Sequence, residues 1–212
     1  MPPVQTKGRV DAARTRLVAH RGWLAAGTLL VAVIVVVIAV LAFRGSSKPL
    51  SVDFGRLPEV QSGPPPWNNG AGALQANLPV VHLTALSQEG VAFHIHQHLD
   101  LYNNGKHVTV PQGIGIGNSF LTEIHTHGTD GVIHLESPSH RPYTLGQLFG
   151  EWAVDLSSRC LGSSCASLHW WVNGVRQEGD PADLVLRPFQ EIVIAAGTPP
   201  THVPKSFNFR HL

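Results

Sequence analysis

The chain predicts an α+β fold behind a single N-terminal transmembrane helix: a small mixed-sheet domain with one packed helix. Three observations carry that expectation. Residues 23–43 (WLAAGTLLVAVIVVVIAVLAF) run without a charge. Residues 91–102 (VAFHIHQHLDLY) alternate with the period of a strand. Residues 144–154 (TLGQLFGEWAV) place Leu145, Leu148, Phe149 and Trp152 at helical spacing, with Thr144 as N-cap. Strand hairpins on both sides of one helix favour a helix packed on one face of a mixed sheet.

The apolar run at 23–43 is long enough to cross a hydrocarbon core at 1.5 Å per residue. Before it, five basic residues (Lys7, Arg9, Arg14, Arg16, Arg21) face one acid, Asp11. Such a flank stays in the cytoplasm, so residues 1–22 read as a cytoplasmic basic tail and everything after 43 as exported. A cleaved signal peptide would have a shorter apolar region and a small-residue cleavage site. The predicted localisation is thus a single-pass cell-membrane protein with an extracytoplasmic C-terminal domain. Beyond Arg21 there remain ten basic and thirteen acidic residues. That acidic balance argues against a nucleic-acid binder, and the membrane is the one partner the sequence names. On the exported side Cys160 and Cys165 predict a small disulfide loop.

Residues 44–78, with Gly63-Pro64-Pro65-Pro66 and Asn68-Asn69-Gly70, read as a Pro/Gly-rich tether. The compact domain is expected over 79–197, and 198–212 form a tail. Asn104-Gly105 signals a hairpin between 91–102 and a return strand at 107–111. Two further strands, 120–127 and 132–137, flank Gly128-Thr129-Asp130-Gly131. After the helix, a strand at 169–172 turns at Asn173-Gly174, and short strands at 183–186 and 191–195 close the domain. This second half resembles the closing portion of a β-grasp fold. A β-sandwich or a cupin-like barrel is the alternative. The Gly113, Gly115, Gly117 run lacks the spacing and the following helix of a dinucleotide loop, and reads as a flexible loop.

Chemistry concentrates in the histidines, 13 in 212 residues. His94, His96 and His98 are spaced to share one face of a strand, with Phe93, Ile95, Gln97 and Leu99 on the other. Glu123, His125 and His127 repeat the pattern. A four-residue turn pairs positions summing to 259, so His125 should oppose His134, Glu123 should oppose Glu136, and His127 should oppose Val132. Directly opposed Cβ atoms lie roughly 4.5–5.5 Å apart, within reach of a common ion. The candidate metal ligands are therefore His94, His96, His98, His125, His127 and His134, with Glu123 and Glu136 as ligands or orienting groups. A His/carboxylate set suits copper or zinc, and the sequence does not choose between them. His107, His140, His169, His202 and His211 are isolated and read as structural.

The stretch EGVAFHIHQHLDLYNNGKHVTVPQGIGI, with LTEIHTHGTDGVIHLES and YTLGQLFGEW, resembles a group of uncharacterised membrane-anchored bacterial proteins. They share an H-x-H-x-H-L strand, an H-T-H-x-x-x-G-x-I-H hairpin and a T-L-G-Q-x-F helix over about 89–197. That group carries no established activity, so the resemblance implies architecture and singles out the same six histidines. It often has Asp directly after H-T-H, where this chain has Gly128, with Asp130 two residues on.

Three functional classes fit. The first is a non-catalytic, membrane-tethered module binding a transition metal. The second is a His-ligated metalloenzyme, hydrolytic or oxidative, with Glu123 or Glu136 as base. No H-E-x-x-H helix or serine elbow accompanies it. A cupin-type dioxygenase lacks its Glu after His125-x-His127 and its second motif. The third is an interaction domain whose histidines answer to pH.

Overall fold

The computed structural model describes residues 48–165 and 167–210. The basic tail at 1–22 and the transmembrane stretch at 23–43 lie outside these. Among the described residues, no helix is long and apolar enough to cross a membrane. The chain forms α1 (Ala71–Val81), β1 (Phe93–Asn103), β2 (Lys106–Val108), β3 (Ile124–His125) and β4 (Val132–Ser137). There follow α2 (Leu145–Glu151), β5 (Leu168–Val172), β6 (Val175–Gln177) and β7 (Glu191–Ala196). Short 3-10 turns lie at Phe54–Arg56 and Pro181–Asp183.

All seven strands share one mixed sheet, ordered β3-β4-β1-β7-β5-β6, with β2 also on β1. Its centre is the parallel pair β1/β7, and β4 and β5 flank it antiparallel. One open sheet with packed helices departs from the sandwich and barrel alternatives. The two short turns come from Asn-Gly pairs: Asn104-Gly105 and Asn173-Gly174 both hold positive φ, as a tight hairpin turn needs. The strand expected at 183–186 does not form: a 3-10 turn capped by Asp180 ends at Asp183, and Val185 alone bridges to Thr144.

Alternation along β1 sorts its side chains as the sequence predicts. Ile95, Leu99 and Leu101 enter the main core with Ile124, Ile133, Leu135, Ile192 and Ile194. Opposite them lies the His94, His96 and His98 face, where Trp171, Val193 and Ala195 form a small second core farther along the sheet. Helix α2 begins as read, with the Thr144 N–H donating to the Gln147 side chain at 3.0 Å. The Gln147 amide then donates to the Val81 carbonyl at 2.7 Å and joins the two helices.

The expected tether at 44–78 is corrected over its described part. Trp67 is only 6% exposed and meets Trp152 edge-to-face at 5.7 Å. Leu74, Leu78 and Val81 of α1 enter the core. Buried Asn77 donates to the carbonyls of Glu59 and Gly150 at 2.9 and 3.1 Å. Pro79 lies inside α1, in its last turn. The domain therefore begins well before 79. Cys160 and Cys165 are joined as a disulfide.

The glycine run is not the flexible loop expected. Ile114 is buried, Gly113 N–H donates to Thr126 O at 2.8 Å, and Thr122 N–H donates to Gly115 O at 2.9 Å. The run is an ordered segment laid against the β3 strand.

Candidate metal centre

The sheet assembles the site by register. His96 of β1 pairs with His134 of β4, and His134 pairs with His125 of β3. One row of three imidazoles thus crosses three strands. In the next row His94 pairs with Glu136. The His125–His134 register is the one that the turn arithmetic predicts.

Around this row the donor atoms gather in two groups, each with its ligand atoms within 4.8 Å of one another. The first is His94, His96, His134 and Glu136. His96 Nε2 lies 3.1 Å from both His94 Nε2 and His134 Nδ1. Glu136 Oε1 lies 3.1 Å from His94 Nε2 and 3.4 Å from His134 Nδ1. A tetrahedral ion with bonds of 2.0–2.1 Å would hold its donors roughly 3.3–3.4 Å apart, so four of the six edges are close to preformed. The second group is Glu89, His125, His127 and Glu136. There His127 Nε2 lies 3.5 Å from Glu89 Oε1, and His125 Nε2 lies 4.0 Å from Glu136 Oε2.

His125 is the best-defined candidate ligand. Its side chain is 0% exposed. Its Nδ1 lies 3.0 Å from the Thr122 carbonyl oxygen, which can only accept, so Nδ1 carries the proton. The lone pair then sits on Nε2, which is buried and has no hydrogen-bond partner. A buried acceptor left unpaired costs about 1–3 kcal/mol, which a bound cation would offset.

Electrostatics keep the rings available. Burial holds His125 down to about 4 from the ordinary 6.5, against the pull of the Thr122 hydrogen bond. Burial, then the charges of His96 and His127, hold His134 down to about 3. His96 is lowered by burial and by His94 and His127. At neutral pH these three rings are uncharged, the form that ligates. Glu136 is raised by burial and by Glu89, while His94 and His127 pull it down.

Two expected ligands stand elsewhere. Glu123 turns away from the cluster: its Oε2 accepts the Thr84 N–H at 2.8 Å and its Oε1 faces Arg141 at 3.9 Å. His98 leaves because β7 places Glu191 beside it. His98 Nδ1 is 2.9 Å from Glu191 Oε2, its Nε2 is 2.7 Å from the Asp130 carbonyl, and Phe207 stacks on the ring at 3.9 Å. With both nitrogens engaged, its ring has no free lone pair. Asp100 completes that third acidic group, on the same face of β1. Glu89 is the residue the spacing analysis misses. It precedes β1 in a loop, and Gly90 lets that loop pass so close to Ser137 that a Cβ would strike its backbone. No periodicity marks it.

No protein-family model, curated protein or solved structure matches this chain. The site's chemistry therefore rests on its own geometry: His and Glu clusters that could hold a metal ion.

Proposed function

We propose that the chain is a membrane-tethered, extracytoplasmic domain that binds copper or zinc through strand histidines and performs no turnover of its own. The observation that carries this reading is the convergence of imidazoles at near-tetrahedral separations around Glu136, beside the unpartnered Nε2 of buried His125. Nitrogen and carboxylate donors without thiolate suit Zn²⁺ and Cu²⁺, since both cysteines are spent in the disulfide. The apolar run at 23–43 and its basic flank support the tether. The strand order, a central parallel pair with hairpins outside it and a helix between, supports a β-grasp-like domain into which the β3–β4 hairpin is inserted.

The test is the elemental composition of the full chain, purified in detergent without a histidine tag or nickel resin. At least one tightly held equivalent of copper or zinc is expected. A chain that stays empty after reloading with both metals overturns the reading. A metalloenzyme is the second reading, favoured by the exposure of His94 and His127, which leaves the cluster open to a substrate. Glu136 is its remaining candidate base, because Glu123 is committed to Thr84 and Arg141.

A further inference from the structure

We propose that the centre is dinuclear, with the Glu136 carboxylate bridging two metal ions; this rests on the metal-binding reading above. The two donor groups share only Glu136. Its Oε1 faces His94 and His134, and its Oε2 faces His125, so each oxygen already belongs to a different group. Each group then supplies three further donors: His94, His96 and His134 on one side, Glu89, His125 and His127 on the other.

One ion does not account for this set. Seven donor groups converge, whereas a zinc ion takes four in its preferred tetrahedron. The two H-x-H pairs also stand on strands separated by β4. Each pair meets a different oxygen of Glu136, His94 at Oε1 and His125 at Oε2. His134 is where the halves meet: its ring stands edge-on to His96 at 4.5 Å and to His127 at 4.6 Å. Paired ions in two-metal sites sit about 3.5–4 Å apart, the span that a carboxylate bridges.

The experiment is metal stoichiometry on the full chain, followed by electron paramagnetic resonance after loading with Cu²⁺. Two equivalents are expected, with a spin signal well below that of two isolated Cu²⁺ ions because the bridge couples them. Ligands exposed enough to change without unfolding the domain separate the halves. H94A/H96A and E89A/H127A should each leave one equivalent with a full, uncoupled signal, and the fourfold variant should leave none. In E136Q the coupling should be lost. One equivalent in the unaltered chain, abolished by either pair of substitutions, would overturn the dinuclear assignment and keep the metal-binding reading. Two equivalents with full signal would mean independent ions and overturn the bridge. No metal in the unaltered chain would overturn both.

Discussion

His125 donates its Nδ1–H to the carbonyl oxygen of Thr122, three residues earlier, at 3.0 Å, and that bond fixes the nitrogen left to ligate. An orienting hydrogen bond of this kind sets the tautomer and raises ligand basicity. The Thr122 hydroxyl is itself held, 2.6 Å from both the Ile124 carbonyl oxygen and a carboxyl oxygen of Glu151, whose pKa is pushed well up by burial. The tautomer is thus secured from the floor of the domain.

Metal should therefore stabilise the fold through this ring. Zinc at a hundred times its dissociation constant adds about 2.7 kcal/mol if it binds only the folded chain. H125A should lower affinity on the order of 100-fold and remove most of that gain. Urea titrations with and without zinc, followed by tryptophan fluorescence, read both effects. An equal zinc shift in H125A would show that the ring is no ligand.

Acid should act on the metal-free chain with a definite sign. His125 and His134 have folded values of about 4 and about 3, below the ordinary 6.5. The unfolded chain takes up protons first, so stability is lost as pH falls from 6.5 through 4. For buried His125 alone the loss is on the order of 3 kcal/mol. Unfolding midpoints at pH 7 and pH 4.5 should differ steeply, and H125N should flatten the difference.

The His98–Glu191 pair works in the opposite direction. Burial alone would lower His98, but the hydrogen bond to Glu191 and the charges of Glu191 and Asp100 outweigh it and raise it. Glu191 is raised too, by burial first. The folded His98 holds its proton to higher pH than the unfolded ring, so its contribution is complete below pH 6.5 and fades as pH rises above it. H98Q should make stability between pH 6.5 and 8.5 less dependent on pH. An unchanged slope would remove this pair from the account.

Gly115 should tolerate no side chain. Its φ is +72, and a Cβ would fall on the carbonyl oxygen of Ile124 and crowd the Thr122 hydroxyl. G115A should cost about 2 kcal/mol or more in unfolding free energy. It should also weaken metal binding, since it displaces the residue that orients His125. Normal metal content in a folded G115A chain would separate the loop from the site.

Trp67 should behave as core. Truncation of so large a buried aromatic costs about 3–5 kcal/mol, so W67A should unfold at far lower urea. A loss under about 1 kcal/mol would restore residues 48–78 to the status of a spacer.

Legibility differed from one interaction to the next. Hairpin features are local, and they were readable: the alternation of β1, the His125–His134 register, the Thr144 N-cap and both Asn-Gly turns depend on neighbours in the chain. Non-local features were hidden. Helix α1 looks like turn sequence because Gly70 precedes it and Pro79 lies within it, and only its burial against α2 explains it. Alternation puts His98 beside His94 and His96, but nothing near His98 announces Glu191. Glu123 occupies the register position that arithmetic assigns, while its side chain is drawn off by the Thr84 N–H. Glu89 enters by way of a loop, which has no period to read.

Pairing of β1 with β7 has a further consequence, in time rather than in space. His98 and Glu191 lie 93 positions apart, so the centre of the sheet closes only when a late segment arrives. Contacts of such separation slow folding. Every residue of the candidate centre, from Glu89 to Glu136, is synthesised before that segment. The strands of the candidate metal face, β1, β4 and β3, are therefore all made before β7, the strand that joins them to β5 and β6.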